Sequence, residues 1–395
     1  MMDGPAPLDD GERRELEDNL DRIFLRLRDA HNGLHAARPP ADPALVASLL
    51  EQGTLPDSAA GLWSRWDGLD LGFSQVVLFS LAQQERETAA ALAEGRAREG
   101  DRVIGERGRE LFALCSDPYA EGADVMLIEE DGTRLPHSSR VDRMVLALLG
   151  ELAVLLADDG EFRDKLFGDD GELTSVAERK LLRRHLDFDP DAPLARYRLA
   201  RCLRRAGELR AAQSELKRAA RCAPEFPWIA YERGRVQLSG GDGAGAAKSF
   251  EKAASLTPED EPGLHAYFLA WACRAQAPGL REPLAKRVLE LAPGFAMAQE
   301  ASVREALEME QADDALELLE LGLAVLPRHL GLLALRDEVA RAVATVEREQ
   351  AEHAERESTP PRTPRERTRT SGGQHTGKTR ARGRGRVRAT KHRAR

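Results

Sequence analysis

Five prolines at near-constant spacing limit what this chain can fold into. Pro190, Pro224, Pro258, Pro293 and Pro327 stand 34, 34, 35 and 34 residues apart. Each follows an amphipathic helical segment, where a ring without an N–H stops one helix and sets the turn into the next. A fixed period of this length marks a helical solenoid, in which each unit buries its apolar face only against its neighbours.

The residues between the prolines repeat in kind. Taking each proline as a closing position, the first unit runs over about 193–226. It carries Leu199, Ala200 and Leu203 on its first helix and Ala212, Leu216 and Ala219 on its second. The second unit has Gly234, then Ala246, Phe250 and Ala253. The third, about 261–293, is degenerate: Pro278 and Pro283 crowd its turn and Arg281 takes an alanine position. The fourth recovers with Ala315, Leu319 and Gly322. Helices of a pair approach closely only where Gly or Ala removes bulk, and Phe250 and its equivalents fill the gap to the next unit. A helix over 176–187, with Ser175 and Glu178 as a capping box, precedes the units. A helix over 329–350 with a polar end follows them.

Period and small-residue positions together closely resemble tetratricopeptide repeats, above all in GDGAGAAKSFEKAASLTP. The resemblance covers 175–350. It implies a groove lined by the first helix of each pair, and its offsets place there Tyr197, Arg201, Arg204, Trp228, Tyr231, Arg235, His265 and Arg304. Aromatic rings interleaved with guanidinium forks suit an extended peptide bearing carboxylates. The competing reading is that these arginines are only the solvated face of an Arg-rich helix.

Residues N-terminal to the solenoid have a different texture. Leu16, Leu20, Ile23, Phe24 and Leu27 form one apolar stripe on a helix spanning 12–38, ended by Arg38-Pro39-Pro40. A short helix follows over 43–51. Leu55-Pro56 precedes a helix with Leu62, Trp63 and Trp66, closed by Asp67-Gly68. FSQVVLFSL at 73–81, the segments about Gly105 and Gly108, and DVMLIE at 124–129 read as strands. Residues 83–99 read as helix or a polar excursion, and 140–156 as an apolar helix on the sheet. The order implies an α+β domain.

Leu55-Pro56, Trp63, Trp66-Asp67-Gly68, the Gly105 strand turn and DVMLIEEDG followed by LPHSSRV resemble the SUKH superfamily of cell-wall-synthesis regulators and toxin-immunity proteins. The resemblance covers about 110 residues. It implies protein binding and supplies no catalytic residues.

The net charge of −9 hides an asymmetry. Residues 367–395 hold 11 Lys or Arg and no Asp or Glu, so residues 1–366 carry −20 against −9 for the whole chain. The tail has no apolar periodicity, and disorder is its expected state. Lys378, Arg380, Arg382, Arg384, Arg386, Arg388, Lys391 and Arg393 would attract polyanions in a salt-sensitive way. The alternatives are a contact with the acidic body and a solubility tail without a partner.

Chemistry is sparse. Gly372, Gly377, Lys378 and Thr379 meet the spacing of a phosphate-binding loop but lack the strand before and the helix after that such a loop needs. The nine histidines show no HExxH or HxxxH pair completed by a carboxylate, so no metal is expected. His31 and His35 lie four apart on a polar helical side. Four cysteines without a CxxC pair read as reduced, buried thiols. No cofactor, catalytic residue or membrane span is expected, and an N-terminus without an apolar secretion core points to the cytoplasm.

The expected fold is mainly α: an N-terminal helix (1–41), an α+β domain (42–165), an acidic linker (166–174), an α-helical solenoid (175–350) and a disordered basic tail (351–395). The expected function is a non-enzymatic adaptor for a protein or peptide partner, one bearing acidic groups. A toxin-immunity protein, or a regulator that contacts nucleic acid through the tail, is the alternative.

Overall fold

The structure, a computed structural model, describes residues 8–31, 33–72, 74–114, 123–168 and 171–358. Helix dominates, with an antiparallel sheet in the N-terminal region and helical repeats after it. The chain divides into Met1–Val343 and Ala344–Arg395.

Helix α1 (Asp10–Ala30) opens with a capping box. Asp9 accepts from the N–H groups of Gly11 and Glu12, and Glu12 accepts from that of Asp9. Leu20, Phe24 and Leu27 are its buried stripe. The helix stops at Ala30, short of the ArgProPro run expected to end it. His31 bonds the carbonyl of Ala157 at 2.7 Å, and Gly33 turns the chain at a φ of +82°. Residues that continue the helical pattern are thereby drawn into a strand, β1 (His35–Ala37).

β1 pairs with β2 (Leu69–Leu71), and the order then runs in sequence through β3 (Val76–Leu78), β4 (Arg102–Arg107), β5 (Glu110–Leu114), β6 (Val125–Ile128) and β7 (Arg134–Ser138), antiparallel throughout. Between them lie α2 (Pro43–Glu51), α3 (Asp57–Trp63) and α4 (Leu81–Ala93), and α5 (Val141–Leu155) follows. Side chains alternate along the strands. Ile104, Phe112, Val125 and Leu127 join Trp63, Met144 and Leu148 in the main core. Val103, Leu111, Ala113 and Ile128 face the other way, with Phe79, which precedes α4, and with Ala91 of α4.

The Trp-x-x-Trp-Asp-Gly stretch organises the start of this sheet. Buried Trp63 donates its indole N–H to the Phe79 carbonyl at 3.0 Å. Asp67 accepts from the backbone N–H of Leu81 at 2.8 Å, at the first turn of α4. Gly68 has a φ of +108°, and a Cβ there would lie 2.8 Å from the Leu78 carbonyl.

β7 was expected to be a polar connection. It is a strand buried along its whole length because its polar groups are satisfied. Arg134 forms a fork on Asp101 at 2.7 and 2.8 Å, and His137 bonds Ser138 at 2.7 Å. The stretch expected as an acidic linker holds an isolated bridge, Phe167–Leu173, and follows a 3-10 turn with Leu166 buried and a second bridge, Leu156–Phe162.

The repeats are helix pairs: α6 (Ser175–Phe188) alone, then α7 (Pro193–Arg205) with α8 (Leu209–Cys222), α9 (Pro227–Ser239) with α10 (Gly243–Leu256), α11 (Pro262–Ala275) with α12 (Glu282–Leu291), and α13 (Phe295–Glu308) with α14 (Ala312–Val325). α15 (Leu330–Ser358) follows. Each ladder proline lies two residues beyond the end of α6, α8, α10, α12 or α14. The cap of α6 is Thr174, which accepts from Ala177, where Ser175 was expected. Gly234 faces Phe250 so closely that an added Cβ would stand 2.6 Å from its ring. In the third unit α12 is only 10 residues long, after a 3-10 turn at Pro278–Leu280. There α14 packs against α11 and α12 as well as against α13.

Candidate functional site

The first helices of the pairs carry the residues expected in a groove, and most are engaged by the chain itself. α7 packs against β7. The junction is polar and buried. Ser139 donates its N–H and hydroxyl to Asp189 at 2.9 and 2.5 Å, and His185 bonds Glu151 at 2.6 Å. The rings of His137 and His185 stand edge-on, 5.5 Å apart. Burial pushes the Asp189 carboxyl up and holds His137 well below the usual imidazole value, with the His185 charge adding to the latter. Leu199, Leu203 and Phe226 share one core with the sheet residues.

Within this covered stretch Tyr197 is half-buried, edge-on to Phe226 at 6.0 Å, and burial raises its phenol to about 12. The Arg204 Nε donates to buried Glu232 at 2.6 Å. Arg201 differs: its Nε is buried without a hydrogen-bond partner.

The second and third units bring Trp228, Tyr231 and Arg235 together and add Tyr267, Phe268, Trp271 and Arg274, which the offsets did not select. Trp228 stands edge-on to Tyr231 at 5.3 Å and to Phe268 at 5.1 Å. Tyr231 is buried; its hydroxyl meets that of Tyr267 at 3.0 Å and accepts from Arg235 at 2.7 Å. Two guanidinium groups stand over the Trp271 ring, Arg235 at 4.3 Å and Arg274 at 4.8 Å from its centre. Both are neutralised from α14: Arg235 donates to Glu317 at 2.6 Å and Arg274 to Glu320 at 2.5 Å.

His265 and Arg304 lie apart from this cluster. His265 is half-buried, and burial with the nearby Arg287 charge lowers its pKa. Arg304 is exposed and bonds Glu300 at 2.8 Å. The tail cations Lys378 to Arg393 lie outside the described residues. Trp271 and Arg274 escaped the sequence offsets because α11 is apolar nearly all round, so its periodicity marks no single face.

An opening remains beside Trp228. A cavity of about 380 Å3 lies between the β6–β7 turn, with Asp131, Thr133 and Arg134, and the starts of α9 and α11, with Trp228, Glu261 and Leu264. A second hollow of about 440 Å3 lies on the opposite side of α9, between α8 and α10.

Burial raises the thiols of Cys202 to about 12 and Cys273 to about 11, which keeps them protonated and unreactive. No group of three or more His, Cys, Asp or Glu that could hold a metal occurs among the described residues. No described helix is long and apolar enough to cross a membrane.

No family model and no curated protein matches the chain. Among solved structures, it is similar to YrrB, a TPR protein with an unusual peptide-binding site, at 18% identity over 50% of this chain and 91% of that one, with a TM-score of 0.29. It is similar to a thermophilic TPR protein of Thermus thermophilus at 20% identity over 43% of this chain and 91% of that one, with a TM-score of 0.29. The C-terminal part of a TPR repeat-containing protein from Cytophaga hutchinsonii shares 20% identity over 40% of this chain and 64% of that one, with a TM-score of 0.28.

Proposed function

We propose that this chain is a non-enzymatic adaptor that holds a protein or peptide partner on tetratricopeptide-type repeats. The observation that carries the reading is the repeated helix pair itself, closed at each ladder proline and seated by the Gly234–Phe250 contact. A stack of this kind offers long, rigid surfaces to an extended chain. The opening beside Trp228 is the entry to the groove, and Arg201, with its unsatisfied Nε, is the groove cation that a partner carboxylate would complete. Affinity capture with the full chain tests this. A partner retained by the native chain and lost on Trp228→Ala with Arg201→Glu supports it, and the absence of any reproducible partner ends it.

A second reading assigns the α+β region to a SUKH-like immunity module. The roles of Trp63, Asp67 and Gly68 at the start of the sheet support it. Capture of a toxin by residues 1–165 of the intact chain, mapped by cross-linking, would favour it over groove binding. Nucleic-acid contact through the tail is tested by duplex binding at low and high salt, with and without residues 357–395.

A further inference from the structure

Four arginines of the groove face, Arg201 apart, have carboxylates of their own. Arg204 meets Glu232, Arg235 meets Glu317, Arg274 meets Glu320 and Arg304 meets Glu300. The other face of α9 is arranged differently. Ile229 and Arg233 point away from Trp228 and Tyr231 by helical spacing, and they line the 440 Å3 hollow between α8, α9 and α10. Its floor is apolar, from Leu216, Phe226 and Ile229, and its rim holds Lys217, Arg233 and Lys252, one cation from each helix. No carboxylate lines it. None of the three cations has a carboxylate within ion-pair distance among the described residues, and Arg233 donates only to the Ser249 hydroxyl, at 3.2 Å. All three are exposed.

We propose that this hollow, on the outer side of α9, is a second docking site, separate from the groove, that takes an acidic segment: a short peptide with a bulky apolar side chain flanked by Asp or Glu. The inference rests on the adaptor reading and names the partner chemistry. The apolar floor takes one large side chain out of water. The three cations then meet carboxylates on either side of it without displacing an internal ion pair. That distinguishes the rim from Arg235 and Arg274, where a partner carboxylate would have to compete with Glu317 or Glu320. A nucleic-acid strand fits less well, because its phosphates lie along a line, whereas the three cations ring one apolar pocket. A body at −20 over residues 1–366 also repels a polyanion, whereas a local three-cation rim accepts a short acidic segment.

The experiment is a peptide-display selection on the full chain, followed by fluorescence polarisation with the enriched peptides. Peptides combining an aromatic or aliphatic residue with flanking acids are expected. Their affinity should fall about tenfold or more in the Lys217→Glu, Arg233→Glu, Lys252→Glu triple variant and fall steeply with salt. Arg86→Ala, on the exposed side of α4 and away from both the groove and the hollow, should leave it within about twofold. Carbodiimide coupling on the unmodified chain, which joins peptide carboxylates to amines, should mark Lys217 and Lys252; this reading stands even if the triple variant fails to fold. Enriched peptides without acids, coupling only elsewhere, or affinity unchanged by the triple variant would overturn the docking site and leave the adaptor reading intact. A single-stranded oligonucleotide bound at the hollow in place of peptide would also overturn it. No enriched peptide at all would overturn both.

Discussion

Arg235 on α9 and Glu317 on α14 are 82 residues apart in the chain and form an ion pair at 2.6 Å. The pair ties the second repeat unit to the fourth across the third. It depends on α12 being short, because α14 then packs directly on α11. A solenoid of regular units would keep these two residues apart. The degenerate third unit, with its crowded prolines, is therefore the place where the stack closes on itself.

Removing one partner should expose that closure. Glu317→Ala leaves Arg235 held only by Tyr231 and the face of Trp271. The expected loss is about 1 kcal/mol, a value reduced because Glu317 is about one-third exposed. A double-mutant cycle with Arg235→Gln, read by urea denaturation, should show coupling between the two positions. Additive effects would mean the pair contributes nothing.

The small residue opposite Phe250 makes a sharper demand. Gly234→Ala places a methyl group 2.6 Å from the ring, so the helices of the second unit must separate. The expected cost is about 1–3 kcal/mol, in spite of the better helix propensity of Ala. Phe250→Leu in the same chain should recover part of it in a thermal melt.

The buried fork of Arg134 on Asp101 fixes β7. Both side chains are at most 5% exposed, so cutting Arg134 back to Ala strands a carboxylate in the interior. The expected loss is about 3–5 kcal/mol by chemical denaturation, and the double replacement Arg134→Met with Asp101→Leu should lose less.

Two histidines set a pH limit on the N-terminal region. The Gly72 N–H donates to His35 Nδ1 at 3.2 Å, so the Nε2 of His35 carries the proton shared with His31 at 3.2 Å; the other nitrogen of His31 then donates to the Ala157 carbonyl. Burial lowers the His35 pKa, the His31 charge lowers it further, and Asp70 opposes both. A base whose folded pKa is depressed contributes stability that is full above the unfolded value of about 6.5 and is lost as pH falls through the lower folded value. His137, held well down by burial at the α7 junction, acts in the same direction. Asp189, raised by burial, acts in the opposite direction, since its contribution is present at low pH and lost as pH rises. Melting temperatures taken between pH 7.5 and 5.5 should fall, and His35→Gln should flatten the part of the slope due to α1.

The repeat units were legible from the prolines and from Gly234, Phe250 and Gly322, because helical packing leaves a periodic apolar record. α5 and β4 to β6 were legible for the same reason at their own periods. β1 and β7 were not. His35 follows a helical stripe without a break until His31 is fixed on Ala157, a contact 126 residues distant. β7 is polar in sequence, and its burial depends on Asp101, a partner that lies outside any local window. The groove residues were placed by offsets that assume an open, regular stack. Trp228, Tyr231 and Arg235 cluster in the structure, but the offsets carried no information about β7 against α7 or α14 against α11. Pairing of Arg235 with Glu317 followed from the packing of α14, and that of Arg204 with Glu232 from α7 against α9.

Hydrogen exchange on the full chain, alone and with its captured partner, tests the adaptor account most directly. The account predicts added protection in peptides from α7 to α11, residues 193–275, with the β4–β6 strands unchanged. Protection confined to the sheet, or none anywhere while the partner is bound, would contradict it.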